Sequence, residues 1–376
     1  MSSAGFNNSS SCTNNTCGAT NIRRYFYVEP EPLKVFRLII TGIVLFASLV
    51  GNTVVIKAIL GKRGKPFVYY LVTNLAVGEL ITTLCTPFLV TYSELGTWIF
   101  GDFFCRLLLP LSQTSLTVVT TTIAVISVRR YQVVSGVGLN FPATKRGVWL
   151  IIGAIWLYAF AACSPMYVLY KQTTRYTKRV VFCIEADESS WFSVMIQHYY
   201  IARIVLIYGI PVFIMILSYG AVTINIKKQV HSIIKNARPR VNSTQSNTRV
   251  TDYNLDAHRN SSPPSLHHMI PIQQNVIRAQ EEPNTRPEVN VLLDQEGDLT
   301  KMFYMIVLIF ILFYLPANIF YILEITRSFK WFKSMLIVRS YLYLMMYFTL
   351  ALHPLCYGTM SRFYAKAFKK LILCKC

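Results

Sequence analysis

The chain sets long apolar runs between short polar joints, and that rhythm predicts its architecture. Seven apolar segments lie at roughly 35–60, 67–92, 103–131, 147–169, 198–226, 299–325 and 333–358. Each is long enough to cross a hydrocarbon core, which takes about 20 helical residues. Prolines fall inside several of them: Pro87, Pro110, Pro165, Pro211, Pro316 and Pro354. A soluble helix would break at such positions, whereas bundled membrane helices tolerate them because neighbours re-satisfy the freed carbonyls. The predicted fold is an all-α membrane protein, a bundle of seven transmembrane helices.

Outside the spans the pattern changes. Residues 1–33 are rich in Asn, Ser and Thr and carry glycosylation acceptor triplets at Asn7, Asn8 and Asn14, as a flexible tail would. Helices one to five are expected within 34–228. The stretch 229–297 has no apolar period and is loaded with Asn, Ser, Pro, Gln and Arg, so it reads as a disordered loop. Helices six and seven fall in 298–359. In 360–376, Phe363, Tyr364, Ala367, Phe368 and Leu371 form one helical stripe flanked by lysines. That predicts a short amphipathic eighth helix in the membrane interface, with Cys374 and Cys376 as palmitoylation sites. A frayed basic tail is the alternative.

Composition agrees: 53% of residues are hydrophobic and only 14% charged, against nearer a quarter in soluble domains. The net charge of +20 raises the question of nucleic acid, but the Lys and Arg sit between and after the apolar runs, where lipid headgroups would meet them. No nucleic-acid partner is expected, and no cofactor or metal, since no C-x-x-C pair, zinc spacing or phosphate loop occurs. The first residues lack the basic-then-apolar run of a cleaved leader, so the first span is expected to act as its own insertion signal. Lys62, Arg63 and Lys65 in the first connection, against Glu94 and Asp102 in the second, place the N-terminus outside and 229–297 in the cytoplasm. The loop 170–197 breaks that pattern with Lys171, Arg175, Lys178 and Arg179.

Seven helices would also fit a channel or transporter, and the motifs discriminate. Gly51-Asn52 in helix one, Asn74-Leu75-Ala76-Val77-Gly78-Glu79 in helix two and Arg130-Tyr131 at the end of helix three stand in order along the chain. Trp156 in helix four, Pro211 with Tyr219 in helix five, Phe310, Pro316 and Phe320 in helix six, and Pro354 with Tyr357 in helix seven continue the series. Together they resemble the rhodopsin-like (class A) G-protein-coupled receptors from first helix to last. The resemblance implies a plasma-membrane receptor that activates a heterotrimeric G protein, with Cys105 at the start of helix three disulfide-bonded to Cys183. Cys105 and Arg130 lie 25 residues apart, about 37 Å along a helix, and so at opposite faces of a bilayer. The resemblance also implies activation through Arg130, Tyr131, Tyr219, Phe310, Tyr314, Pro316, Pro354 and Tyr357, with helix six swinging out at Pro316. Cys12 and Cys17 either close a small loop or stay apart, while Cys85, Cys163 and Cys356 read as packing residues.

The departures are informative. Arg129 stands where the family keeps an acid before its Arg, so either basal signalling is raised or Arg129 simply reaches headgroups. Phe313-Tyr314 replaces Cys-Trp, Glu79 replaces Asp, and His353 replaces Asn. Val119 stands where the family's sodium pocket uses Ser, which argues against sodium at Glu79. The intramembrane polar set is thus Asn52, Glu79 and His353, and the resemblance brings the last two together as a fixed hydrogen bond or a proton-sensitive switch.

Ser112 replaces the Asp that monoamine receptors use. Thr86-Pro87-Phe88, Trp98-Ile99-Phe100-Gly101 and the alternation Tyr176–Phe182 before Cys183 instead resemble the neuropeptide Y-like and RF-amide-like receptors. This implies an extracellular peptide ligand. The expected contacts are Gln113, Arg203, Glu324, Arg339 and Glu185, with Asp187 and Glu188 also on the rim, or some of these are only solvated charges. Arg203 lies eight residues before Pro211, about 12 Å along the helix. It either meets an acidic or carbonyl group of the ligand, pairs with an outer acid such as Glu324, or snorkels. A small anionic metabolite or lipid is the alternative ligand. A transporter or channel is the rival class, although repeat symmetry between halves is lacking. No His/Asp/Cys constellation points to an enzyme.

Overall fold

A computed structural model describes residues 29–60, 67–135, 145–175, 180–185, 190–237, 286–326 and 335–372. Among them seven helices are long and apolar enough to cross a membrane. They are α1 (Glu31–Leu60), α2 (Phe67–Leu95), α3 (Gly101–Ser135), α4 (Lys145–Leu169), α5, α6 (Arg286–Ile325) and α7 (Met335–Met360). α5 runs from Ser190–Ile204 through one π-helical turn, Val205–Gly209, into Ile210–Ala237. A short α8 (Arg362–Ile372) follows α7, and an antiparallel hairpin of β1 (Tyr170–Arg175) and β2 (Val180–Glu185) connects α4 to α5. Asn7, Asn8, Asn14, Cys12, Cys17, Asp187, Glu188, Cys374 and Cys376 lie outside the described residues.

The helices run on through Pro87, Pro110, Pro165, Pro316 and Pro354. Before Pro211 the cost is visible: the ring disfavours a standard turn beneath it, and α5 widens so that the Ile210 N–H donates to the Val205 carbonyl. Two glycines make the turn between α2 and α3, Gly96 at φ +66° and Gly101 at φ +84°, values that a side chain would strain.

One boundary differs from the sequence expectation. Helix reaches into 229–297 from both sides, to Ala237 in α5 and from Arg286 in α6. Extending a helix already nucleated by a packed span adds one hydrogen bond per residue fixed. Pro287 also sits in the first turn of α6, where a missing N–H is harmless. Residues 238–285 lie outside the described part.

α3 is central and touches α2, α4, α5 and α6. The outward faces are apolar: Leu150 and Leu157 are each 73% exposed and Ile43 62%. Polar side chains turn inward and pair, as they must where no water can satisfy them. Ser48 bonds Thr83 at 2.6 Å, Thr82 bonds Ser115 at 2.8 Å, and Asn74 donates to Thr122 Oγ1 at 2.8 Å. Trp156 Nε1 donates to Asn74 Oδ1 at 2.9 Å, tying α4 to α2. Close approach explains two of the motif glycines. A Cβ on Gly51 would come within 2.6 Å of Pro354, and one on Gly78 within 2.9 Å of Val119.

Candidate functional site

At one end of the bundle Cys105 of α3 is disulfide-bonded to Cys183 of β2, as the resemblance implied. Trp98, Cys85 and Leu108 are buried around the bond. The Trp98 N–H donates to the Val181 carbonyl at 2.7 Å, the Val181 N–H to Thr97 Oγ1 at 3.1 Å, and the Gln172 N–H to Asp102 Oδ1 at 2.9 Å. The hairpin is therefore fixed to the α2–α3 turn and to the start of α3 by hydrogen bonds as well as by sulfur. Glu185 ends β2.

Beneath this end four of the five expected ligand contacts form two pairs. Arg203 of α5 donates from Nη1 to Gln113 Oε1 of α3 at 2.8 Å, approaches Met166 Sδ at 3.7 Å, and lies over the Tyr200 ring at 5.2 Å. Arg339 of α7 donates to Glu324 Oε1 of α6 at 3.2 Å. The pairing of Arg203 with Glu324 weighed from the sequence does not occur, because Arg339 holds that carboxylate. Gln113 lies eight residues along α3 from Cys105, about 12 Å deeper.

Sequence reasoning missed a third cluster here. Arg37, buried in α1, reaches Glu29 at 2.6 Å and Glu94 at 2.8 Å, while Lys34 meets Glu94 at 3.5 Å. This clasp binds the residues before α1 to α2, and the Arg37 guanidinium stacks over Tyr341 of α7 at 5.8 Å. Its hydrogen bond holds the Glu29 carboxyl below the ordinary carboxylate range, against the opposing effect of burial. A charge inside an apolar span was the available signal.

Midway, His353 Nδ1 of α7 hydrogen-bonds Glu79 Oε1 of α2, both side chains being buried. Asn52 of α1 donates to Ser48 Oγ at 3.3 Å and to the Leu350 carbonyl at 3.3 Å, which links α1 to α7 next to the Gly51–Pro354 contact.

At the opposite end Arg130 is 3% exposed and sits over the Phe303 ring of α6 at 5.2 Å. Arg129 lies over Phe67 of α2 at 5.5 Å and donates to Gln132 at 3.3 Å, so its guanidinium packs on protein. Tyr131 is half-buried beside them, and Tyr219 of α5 is buried. Phe303 was not singled out in the sequence, because nothing marks one aromatic among several in an apolar span. Farther along α6, Phe310 stacks on Tyr314 with centroids 4.5 Å apart, and Tyr208 of α5 packs against Phe310 at 5.9 Å. Both stand on the helical stretch leading to Pro316.

The expected eighth helix is present as α8, and its aromatic side packs on the bundle. Tyr364 is 1% exposed and packs against Tyr69 of α2 at 5.8 Å and Tyr357 of α7 at 5.5 Å. Phe368 lies against Gly358, where an added Cβ would meet its ring at 3.0 Å. Aromatic side chains in the stripe thus find the bundle. Arg362 Nε meets Asp298 Oδ2 of α6 at 3.2 Å on the same side.

Seven membrane-length helices with α3 central among them, a disulfide-anchored hairpin at one end and Arg130 against α6 at the other, define a seven-helix receptor architecture. The chain belongs to the rhodopsin family of seven-transmembrane receptors, whose model matches residues 51–357. It is similar to the neuropeptide Y receptor type 6 of Oryctolagus cuniculus, 25% identical over 254 residues, covering 63% of this chain and 67% of that receptor. It is also similar to the cholecystokinin receptor type A of Rattus norvegicus, 25% identical over 266 residues, 66% of this chain and 58% of that one. The neuropeptide Y receptor type 2 of Homo sapiens is 27% identical over 217 residues, 54% of this chain and 56% of that one. The similarity spans little more than half to two thirds of these receptors' length.

Proposed function

We propose that this chain is a plasma-membrane receptor, N-terminus outside, that binds a peptide at the disulfide end and activates a heterotrimeric G protein at the Arg130 end. The observation that carries the reading is α3 itself, one helix joined to the hairpin at Cys105 and packed against α6 at Arg130. A ligand that favours an outward α6 opens a groove beside Arg130, and the population follows its differential affinity for that state. The relatives named for neuropeptide Y and cholecystokinin support a peptide over a metabolite. In this reading Gln113, Arg203, Glu324, Arg339 and Glu185 line the ligand site. Arg130, Tyr131, Tyr219, Phe310, Tyr314, Pro316, Pro354 and Tyr357 carry activation. Asn7, Asn8 and Asn14 are glycosylated, and palmitates on Cys374 and Cys376 hold the C-terminus to membrane lipids.

The test is a peptide-library screen in cells expressing the chain, reading nucleotide exchange on G proteins beside membrane current. Peptide-dependent exchange without current is expected. Current without exchange would make the chain a channel or transporter and discard the proposal.

A further inference from the structure

The cations at the disulfide end differ in what neutralises them. Arg37 holds Glu29 at 2.6 Å and Glu94 at 2.8 Å, Arg106 holds Asp102 at 2.7 Å, and Arg339 holds Glu324 at 3.2 Å. Arg203 is only 9% exposed, yet its contacts are neutral: the Gln113 amide, the Met166 sulfur and the Tyr200 ring. No carboxylate among the described side chains comes within ion-pair distance of it, and its Nε has no acceptor.

A guanidinium cannot shed its proton in a protein, so Arg203 cannot escape burial by neutralising, as a lysine could. A buried charge with neutral partners alone is costly, and the cost is recovered when an opposite charge arrives. The orientation of Gln113 adds to this. Arginine offers only donors, so the oxygen of Gln113 must face Arg203, which leaves the Gln113 NH₂ as a further donor on the same surface. The two side chains, from α5 and α3, thus present donors and positive charge with no carboxylate paired to them among the described side chains. Tyr200 backs the guanidinium and is itself braced, its hydroxyl 3.2 Å from that of Tyr170 in β1 and its ring edge-on to Tyr321 of α6 at 6.2 Å. A carboxylate, with two oxygens for a planar fork, matches this surface in charge and geometry.

We infer that the activating ligand carries a carboxylate and docks it on Arg203 and Gln113, while Arg339 stays with Glu324. This deepens the receptor reading above and rests on it. The carboxylate comes from a peptide's C-terminus, from an Asp or Glu side chain, or from a small organic acid.

The experiment uses the full chain in cells, read by G-protein nucleotide exchange at matched surface levels. Four probe sets are applied: free-acid hexapeptide pools without Asp or Glu, amidated pools with Asp and Glu, amidated pools without them, and a panel of fatty and hydroxy acids. A response to at least one carboxylate-bearing set is expected, with silence from the carboxylate-free pool. Arg203→Met should weaken the active set by about 30-fold or more, the loss typical of stripping a desolvated charge of its partner. Gln113→Glu is the second variant. It places an internal carboxylate on Arg203, should fold at least as well, and should block the same set. A response to the carboxylate-free pool equal to the others, or a Gln113→Glu receptor that responds as the wild type does, would overturn the inference and leave the receptor reading standing. A response confined to the acid panel and lost in both variants would uphold the carboxylate and overturn the peptide.

Discussion

The two ends of the bundle are built from different interactions. The disulfide end is held by a covalent bond and by directional ion pairs, Arg37 with Glu29 and Glu94 and Arg339 with Glu324. At the Arg130 end the helix-three arginines sit on rings instead, Arg130 over Phe303 and Arg129 over Phe67, with Tyr364 among Tyr69 and Tyr357 and an exposed ion pair between Arg362 and Asp298. Contacts of the first kind are lost all at once when a partner moves. Ring contacts are individually weak and re-form in new places, which suits a surface that must open and close. The contrast assigns rigidity to the end proposed to receive the ligand and adaptability to the end proposed to receive the G protein.

The largest effect should come from removing the covalent bond. Cys183→Ser opens a cross-link spanning 78 residues and should cost about 2–5 kcal/mol, seen as lost surface expression and a lower melting temperature. If this variant reaches the surface in full and binds ligand as the wild type does, the disulfide end does not owe its rigidity to sulfur.

The ring contact at the other end predicts a smaller change of a different kind. Phe303→Leu keeps the apolar volume but removes the π face beneath Arg130, a loss of about 1 kcal/mol. If that contact favours the inward α6, ligand-free nucleotide exchange should rise about five-fold with surface level unchanged. Arg129→Asp should move the same readout downward, since it supplies a carboxylate beside Arg130. Opposite signs for the two variants would sharpen the comparison, whereas an unchanged baseline in both would break it.

The smallest effect concerns the clasp. Its bond to Arg37 depresses the Glu29 carboxyl, so its contribution is present in full above the ordinary value of about 4.3 and fades as pH falls through the lower folded value. At pH 7 Glu29→Gln should melt no more than about 3 °C below the wild type, since Arg37 keeps Glu94. The gap should close in acid below the carboxylate range. A gap of constant size down to pH 3 would mean that the glutamate acts there by shape and not by charge.

The spans, the paired motif glycines and the ends of α3 could be read from the chain because each depends on local composition or on distance along one helix. Twenty apolar residues need a bilayer wherever they sit, and 25 residues of helix separate Cys105 from Arg130 whatever their neighbours do. The acid in the second span and the histidine in the seventh demanded partners, and the family resemblance placed each beside the other. What the sequence could not decide was the pairing of charges at the disulfide end. Glu324 could have gone to Arg203 or to Arg339, and Arg37 had no expected partner at all. Such choices turn on distances of a few ångströms between helices far apart in the chain, which hydrophobic period does not encode. Tertiary packing alone gave Glu324 to Arg339 and, among the described side chains, left Arg203 with neutral partners, because α6 lies beside α7 at that level while α5 faces α3.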